Sequence, residues 1–400
     1  MIRTLIIAGI LLLAGCATVH HSKVRVDNVI ADAEAQTKVM LKEIPKAKEH
    51  NSALVSPRTL ENSQLKLVAS KDWTSGFFPG QLWYLYALTH KDEWKTEARK
   101  FTANIEQEKY NGTTHDMGFK IYCSFGNGYM LTHDPHYKDV IIQSAKTLAT
   151  RFNPTVGTIR SWDHNKDKWA FPVIIDNMMN LELLFEASKL SGDTSFYHIA
   201  VSHANTTMKN HFRSDYSSYH VVDYDTATGR VIKKTTHQGY SDESAWARGQ
   251  AWGLYGYTMC YRETKDPAYL QQAEHIASFI LNHPNMPKDL VPYWDFNAPN
   301  IPNEPRDVSA AAVIASGLYE LSTYSKNSKQ YRAAADKIIA SLTNKYRSPI
   351  GENKGFILLH STGSKPANSE VDVPINYADY YYIEAVKRMQ TLNEGKKLFE

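Results

Sequence analysis

The sequence predicts an all-α protein with the (α/α)6 barrel architecture, a toroid of six inner and six outer helices. Short polar turns divide the chain into segments that alternate between nearly all-apolar and amphipathic, and apolar residues recur in them at spacings of three and four. Helices that are apolar on almost every side belong inside a domain, whereas amphipathic helices belong at its surface. A small β-hairpin insertion is the only β-structure that the sequence predicts.

The six amphipathic segments are predicted to form the outer ring. Several of them open with Asp-Pro or Asp-Thr, in which the aspartate caps the helix and the next residue begins its first turn. The outer segments are 27–48, 90–105, 134–152, 192–212, 265–283 and 327–346. The apolar segments, predicted to form the inner ring, are 80–89, 118–132, 171–187, 245–261, 309–324 and 375–389. The hairpin is predicted in 219–236, with its turn near Thr228-Gly229.

This order of elements predicts a single binding mouth. Short turns make each outer helix antiparallel to its inner partner, so all inner helices run in the same direction. Their N-termini then meet at one rim, and the segments that lead into them line one opening. Because helix N-termini carry partial positive charge, this opening favours an anionic ligand.

The N-terminus is predicted to be a targeting segment. Arg3 is followed by an apolar run at 5–13, which is too short to span a membrane as a mature helix. The following Leu-Ala-Gly-Cys at 13–16 resembles a bacterial lipobox, which implies cleavage before Cys16 and lipidation of its thiol. The alternative is an ordinary signal peptide with a chance cysteine.

The lipobox divides the chain into a lipoprotein signal peptide at 1–15, a lipidated cysteine with a short tether at 16–26, and one barrel domain at 27–400. We expect the protein in a bacterial cell envelope, attached to the membrane only through this lipid. No acidic residue directly follows Cys16, so the periplasmic side is favoured.

Composition excludes several other classes of protein. The formal net charge is +3 and the basic residues are scattered, which argues against a nucleic-acid partner. No phosphate-binding loop, dinucleotide fingerprint, serine-hydrolase elbow or three-ligand metal spacing is present, so we expect no cofactor and no metal. Cys123 and Cys260 lie in apolar helical segments and are predicted to be buried free thiols.

Two aspartates stand out in the segments that lead into the inner helices. Asp176 lies within a long apolar stretch, where burial raises the pKa of a carboxyl group and suits it to act as a general acid. Asp116 precedes another inner helix, and two carboxylates beside aromatic residues are typical of a sugar-processing site. The alternatives are a helix cap for Asp116 and a satisfied core polar group for Asp176.

Further candidates occupy the same segments. His115 and His220 are consistent either with substrate binding or with a structural role, in which they cap a helix or fill space in the core. Arg248, at an apolar helix start, needs an anionic partner, either a ligand carboxylate or a structural ion pair. Trp73 and Trp252 are predicted to stack on a sugar, the alternative being core packing. Two other aspartates, Asp307 and Asp379, are predicted to be structural caps or ion-pair partners.

Together these motifs resemble glycoside hydrolase family 88, the unsaturated glucuronyl hydrolases. The matching pieces, in order along nearly the whole mature chain, are Trp73-Thr74 with Gly76-Phe77, His115-Asp116-Met117-Gly118-Phe119, the segment around Asp176, SAWARGQAW at 244–252, and Tyr377-Ala378-Asp379-Tyr380-Tyr381. The resemblance implies an (α/α)6 barrel that acts on oligosaccharides left by polysaccharide lyases. Their non-reducing end is a uronic acid with a C4=C5 double bond, which the family hydrates: an aspartic acid protonates C4, activated water adds at C5, and the resulting hemiketal opens.

The resemblance also implies a role for each matching residue. Asp176 would be the general acid and base, and Asp116 the second essential carboxylate. The substrate would be bound by Trp73, His115, His220, Gln238, Arg248, Trp252 and His360, with His360 facing the neighbouring sugar. The chain departs from the expected pattern at Val308, where a second small polar residue is expected. The preference for sulfated or unsulfated fragments is expected to depend on residues within 355–375, for which Ser361, Thr362, Ser364 and Lys365 are the candidates.

Three other functions remain possible from the sequence. An unsaturated rhamnogalacturonyl hydrolase shares the barrel and a catalytic aspartate but takes pectin fragments, and His115-Asp116 with SAWARGQAW favours family 88 over it. A non-catalytic glycan-binding lipoprotein would keep the tryptophans but have no use for both Asp116 and Asp176. A sugar epimerase would be expected to carry more histidines at the mouth.

Overall fold

A computed structural model describes residues 24–48 and 51–399, so the predicted signal peptide, Cys16 and most of the tether lie outside the described residues. In chain order, the α-helices of the described residues are α1 (Val26–Lys48), α2 (Phe77–Thr89), α3 (Asp92–Ala103), α4 (Asn127–Thr132), α5 (Pro135–Ala149), α6 (Leu181–Ser191), α7 (Thr194–Asn210), α8 (Ala247–Thr264), α9 (Pro267–Asn282), α10 (Val308–Leu321), α11 (Ser328–Lys345) and α12 (Asn376–Asn393). A π-helix at Gly118–Gly126 runs into α4, and a 3-10 helix at Ile175–Asn180 runs into α6.

The helices form the (α/α)6 barrel that the alternation of segments predicts. The even-numbered helices, with the π-helix and the 3-10 helix, make a closed inner ring in which the order of contacts is α2, π-helix, α6, α8, α10, α12 and back to α2. Every residue of α10 is buried, whereas the outer helices bury only one side. The predicted helix starts are confirmed where Asp134, Asp193 and Asp266 cap α5, α7 and α9 by accepting a backbone N–H.

Nine short strands accompany the helices in the described residues. They are β1 (Leu54–Glu61), β2 (Gln64–Ala69), β3 (Phe152–Asn153), β4 (Thr158–Ile159), β5 (Pro172–Ile174), β6 (Val221–Tyr224), β7 (Val231–Thr235), β8 (Ser361–Ser364) and β9 (Ser369–Val373). The predicted hairpin is confirmed as antiparallel β6–β7, with Gly229 at a φ of +71° in its turn. The expectation that this is the only β-structure is wrong, because β1–β2, β3–β4 and β8–β9 are also antiparallel hairpins.

Two predicted inner helices are interrupted at their N-terminal ends. Residues 171–187 do not form one helix: β5 comes first and pairs with β6, so that Val173 lies opposite Val222, and the 3-10 helix separates this strand from α6. The consecutive β-branched residues from Val173 to Ile175 favour the extended backbone there. Residues 118–132 likewise begin as the π-helix before α4, a form that is rare and often found at functional sites.

The described residues also answer two smaller questions. Cys123 and Cys260 are buried free thiols, as predicted. Among the helices described, none combines the length and apolar character that crossing a membrane requires.

Candidate active site

The inner helices begin at the same end of the barrel, and the predicted site residues gather there. Trp73, just before α2, lies with its ring centroid 5.4 Å from that of Phe119 in the π-helix and 5.0 Å from that of Tyr377 in α12. Aromatic rings from the starts of three inner helices therefore meet at one mouth. The 3-10 helix that carries Asp176 opens at this mouth.

Asp176 is held in a buried position beside His220. Its side-chain Oδ2 has no hydrogen-bond partner among the described residues, and it lies 3.7 Å from His220 Nε2. Burial raises the pKa of Asp176 to about 7; the charge of Asp116 acts in the same direction, and the charge of Arg248 opposes it. The carboxyl group is therefore protonated in a large share of molecules at neutral pH, as a general acid requires.

His220 is fixed as a neutral hydrogen-bond donor. Its Nδ1 accepts hydrogen bonds from the backbone N–H groups of His237 and Gln238, both at 3.1 Å. Since Nδ1 is the acceptor, the hydrogen of the neutral ring lies on Nε2, the atom that faces Asp176. Burial, together with the neighbouring His237 and Arg248, holds the pKa of His220 well below its usual value, so the ring stays uncharged.

Asp116 is held by a hydrogen bond at one oxygen and contacted by His115 at the other. Thr114 Oγ1 donates to its Oδ2 at 2.7 Å, and His115 Nε2 lies 3.1 Å from its Oδ1. The other ring nitrogen of His115 lies 2.7 Å from the Ser161 carbonyl, which can only accept, so His115 Nδ1 carries a hydrogen. Burial lowers the pKa of His115, so the ring is neutral and its Nε2 contacts Asp116 without donating to it.

The segments that carry the two aspartates pack directly against each other. The Asn180 Oδ1 accepts the backbone N–H of Phe119 at 3.1 Å, and the Asn180 side chain also reaches back to the Asp176 carbonyl. Gly118 fits here only because it lacks a side chain: a Cβ would lie 2.6 Å from the Asn180 Cα. The glycine of the HDMGF motif thus permits the close approach of the π-helix to the 3-10 helix.

Arg248 forms the structural ion pair that the sequence left as the alternative to a substrate contact. Its Nη1 donates to Asp307 at 2.6 Å, and its two terminal nitrogens also donate to the carbonyls of Thr362 and Gly363. The side chains of Arg248 and Asp307 are 1% and 0% exposed. The pair ties β8 to the start of α8 and α10, and a contact between Arg248 and a substrate carboxylate stays a prediction.

Asp307 and Asp379 both have structural roles, but only Asp307 is the cap and ion-pair partner that was predicted. Asp307 caps α10 by accepting from the N–H groups of Ser309 and Ala310, in addition to holding Arg248. Asp379 accepts from the N–H groups of Ile357 and Leu358, and burial raises its pKa to about 8. Both carboxyl groups accept hydrogen bonds from backbone N–H groups and so fix the main chain of the segments around them.

Trp252 corrects the expectation of a sugar-stacking platform. Its ring is 0% exposed and packs between Phe119 and Tyr381, at centroid distances of 5.2 and 5.5 Å. Neither face is open. The indole N–H makes no hydrogen bond within the described residues, but it lies near enough to the Asp176 carboxyl group to act to lower its pKa. Trp73 is only partly buried, so it remains the candidate for stacking.

Gln238 and His360 occupy different parts of the rim. Gln238 Nε2 donates to the Gly363 carbonyl at 3.1 Å, which joins it to the strand that Arg248 holds. His360 is 46% exposed at its side chain and pairs with Asp372, in a separate recess of about 530 Å3 that also contains Arg306. Neither aspartate lines the recess that contains His360.

Sequence reasoning missed a group of aromatic residues beside His220. Trp162 stacks on His164 at 5.2 Å and contacts Trp169 and His237, at 5.3 and 5.5 Å. The loop at 160–170 carries two tryptophans in eleven residues. This high local tryptophan content is the sequence feature from which an aromatic group at the site could have been predicted. The loop reaches the mouth because β5, which follows it, pairs with β6. The sequence predicts a helix for 171–187 and therefore no strand that could form this pair.

A cavity larger than the His360 recess lies at the opposite end of the barrel. It measures about 750 Å3, and Arg262, Arg388 and Phe399 are among the residues that line it. Its two arginines are balanced by carboxylates: both pair with Glu320, Arg262 also pairs with Glu182 and Glu263, and Arg388 also pairs with Glu384. It contains neither aspartate of the mouth. No group of three or more residues within 24–48 and 51–399 has the arrangement of a metal site.

Comparisons with known proteins agree with this geometry. The family model described as Glycosyl Hydrolase Family 88 matches residues 46–399. An unsaturated glucuronyl hydrolase of Formosa agariphila is 58% identical over 329 residues, covering 81% of this chain and 82% of the relative. An unsaturated chondroitin disaccharide hydrolase of Streptococcus pneumoniae is 32% identical over 340 residues, covering 83% and 85%. A crystal structure of an unsaturated glucuronyl hydrolase specific for heparin gives a TM-score of 0.86 at 48% identity, covering 92% of this chain and 98% of that chain.

Proposed function

Because the chain belongs to glycoside hydrolase family 88, and is therefore a glycosidase, we propose that it is an unsaturated glucuronyl hydrolase. It removes the 4,5-unsaturated uronic acid from the non-reducing end of oligosaccharides that polysaccharide lyases release. The observation that carries the proposal is the buried Asp176 at the mouth, whose pKa burial raises to about 7, with Asp116 on the adjoining segment.

The chemistry follows from the protonation states of the site. Adding a proton to C4 of an enol ether requires an acid that keeps its proton near neutral pH, and burial gives Asp176 that property. Once it has given up the proton, the Asp176 carboxylate acts as the base that draws a proton from water as the water adds at C5. The carboxylate of Asp116 stabilises the positive charge that develops on the sugar.

The product then rearranges without further help from the protein. Addition of water at C5 gives a hemiketal, which opens and releases the remaining saccharide. Since the reaction takes place at C4 and C5, the separation of the two carboxylates does not report a retaining or inverting outcome. The His220 Nε2–H faces Asp176 Oδ2 at 3.7 Å without a hydrogen bond, so it is free to donate to the substrate beside the acid.

The substrate is an anion, and the mouth is suited to one. The N-terminus of α8 directs its partial positive charge toward the mouth, and the Arg248 guanidinium is buried behind the mouth. We assign Gln238, His220 and the Trp252 N–H to the unsaturated uronate, Trp73 to stacking on its ring, and His115 to support of Asp116. His360, in its separate recess, is assigned to a neighbouring sugar.

A glycosaminoglycan-type substrate is favoured. The relatives of this chain include one named for chondroitin disaccharides and one specific for heparin. The predicted selectivity segment 355–375 contains β8, which Arg248 and Gln238 hold at the rim. Ser364 and Lys365 are partly exposed there, which supports them over the buried Ser361 and Thr362 as contacts for the sugar that follows the uronate.

Two competing functions are less well supported. An unsaturated rhamnogalacturonyl hydrolase remains the nearest alternative in chemistry, but the relatives compared above are named for glucuronyl or chondroitin substrates. A non-catalytic binding protein would gain nothing from burying a carboxyl group that has one oxygen without a hydrogen-bond partner, because this costs stability. We further propose lipid anchoring through Cys16 in the cell envelope, with the periplasmic side favoured; the LAGC motif supports this.

We expect the protein to remove the ultraviolet absorbance of the C4=C5 double bond when it is incubated with lyase-generated disaccharides. The panel contains products from chondroitin, heparin, hyaluronan, ulvan and pectin, each with a saturated analogue as a control for binding without turnover. Decay is expected with at least one glycosaminoglycan product. Decay with the pectin product alone would favour the rhamnogalacturonyl alternative, and no decay with any of the five would refute the proposed activity.

A further inference from the structure

Ser161 connects the two segments that carry the catalytic aspartates. Asp116 and Asp176 are far apart in sequence, and each depends on its own neighbours for orientation. Ser161 lies between the two segments at the end of the hairpin that contains β4, and its side chain is 0% exposed. It belongs to neither lead-in segment, and no motif in the sequence marks it.

One side of Ser161 fixes the Asp116 segment. Its carbonyl accepts two hydrogen bonds from His115, one from Nδ1 at 2.7 Å and one from the backbone N–H at 3.2 Å. These bonds hold both the main chain and the ring of the residue that contacts Asp116 Oδ1. The position of Asp116 therefore depends on where the Ser161 backbone lies.

The other side of Ser161 fixes the Asp176 segment. Its Oγ donates to the Asn177 Oδ1 at 3.0 Å and accepts from the Ile174 N–H at 2.9 Å. Its own N–H donates to the Pro172 carbonyl at 2.8 Å. These bonds hold β5 and the residue next to Asp176, and Asn177 is held again because its Nδ2 donates to the Ile159 carbonyl.

The backbone N–H, the carbonyl and the hydroxyl group of this buried residue therefore all take part in joining the two segments. We propose that Ser161 is a positioning residue that sets the separation and orientation of Asp116 and Asp176 for catalysis. This inference rests on the proposed function, because it concerns the same reaction. Water cannot replace the lost bonds at a fully buried site, so the hydroxyl group is needed for the geometry. Misplacing a catalytic group by about 1 Å costs about 10²-fold in rate.

The test is the Ser161→Ala variant, assayed with an unsaturated disaccharide that the wild-type protein turns over. The backbone bonds to His115 persist in this variant, whereas the Ile174 N–H and Asn177 Oδ1 lose their partner. We expect kcat to fall about 10- to 100-fold while KM changes less than about 3-fold. Unchanged kcat in a folded Ser161→Ala variant would overturn the proposal.

A matched control separates positioning from general loss of stability. Ser316 is also a 0% exposed serine whose Oγ donates to a buried partner, Glu384, but it lies in the inner ring away from the mouth. Ser316→Ala should lower the melting temperature without lowering kcat at a temperature well below it. An equal loss of kcat in both variants would show that Ser161 acts only through stability.

A second variant covers the case in which Ser161→Ala does not fold. Asn177→Ala removes the same side-chain bond from the other partner, and it is expected to lower kcat with little change in KM. In the double variant the two losses of kcat should be less than multiplicative, because both remove one shared contact. Fully multiplicative losses, or a normal kcat for Asn177→Ala, would count against the proposal. A wild-type protein with no activity would instead refute the proposed function itself.

Discussion

Asp176→Asn is expected to lower kcat by about 10²- to 10⁴-fold, the range for loss of a general acid. The amide has nearly the shape of the protonated carboxyl group, but it has no acidic proton to give to C4. Because burial of an uncharged amide costs no more than burial of the neutral acid, the fold should be retained. Substrate binding should be retained as well, since Asn fills the same position beside His220.

Turnover is measured from the decay of the double-bond absorbance, and binding from calorimetry with the same disaccharide. The control is Asp134→Asn, because asparagine is as good an N-cap as aspartate and α5 lies in the outer ring. That variant should keep the wild-type rate. A near-normal kcat for Asp176→Asn would mean that another group donates the proton.

Arg248→Ala is expected to destabilise the protein by about 3 to 5 kcal/mol, the usual result of removing one partner of a buried ion pair. Asp307 is 0% exposed at its side chain, so its charge would be left without compensation. The carbonyls of Thr362 and Gly363 would also lose their donor, which should loosen β8 at the rim. The free energy of unfolding is measured by urea denaturation and checked against the melting temperature.

A double variant separates the structural role of Arg248 from a role in substrate binding. Arg248→Met with Asp307→Asn removes both charges, keeps similar volumes, and retains a capping residue for α10. It should be more stable than Arg248→Met alone. If this double variant is stable and its KM is raised, Arg248 also binds the uronate. If instead the Arg248→Ala single variant is as stable as the wild type, the ion pair does not stabilise the fold as proposed.

The barrel itself could be predicted because its signal is local. Apolar and amphipathic segments alternate, and aspartates such as Asp134 and Asp266 mark the helix starts, so each helix is visible without knowledge of its neighbours. The place of Asp176 at the mouth also follows from the order of the elements. The strand β5 was not visible in this way, because a short apolar run is compatible with a strand or a buried helix until its pairing partner is known.

The parts of the site that the sequence did not predict depend on contacts between distant segments. Arg248 and Asp307 are 59 residues apart, and nothing in either segment shows that they pair. The burial of Trp252 between Phe119 and Tyr381 likewise requires three inner helices to be in place. Ser161 has no local feature that distinguishes it from an ordinary loop serine.

The pH dependence of kcat/KM for the wild-type protein tests most directly whether burial keeps Asp176 protonated for catalysis. Burial raises the pKa of Asp176 to about 7, and only its protonated form can donate to C4. Between pH 5 and 9, at temperatures where the fold is intact, we predict a rate that declines above about pH 7 and approaches a tenfold loss per pH unit. A kcat/KM that stays constant or rises from pH 7 to pH 9 would contradict the assignment of Asp176 as the acid.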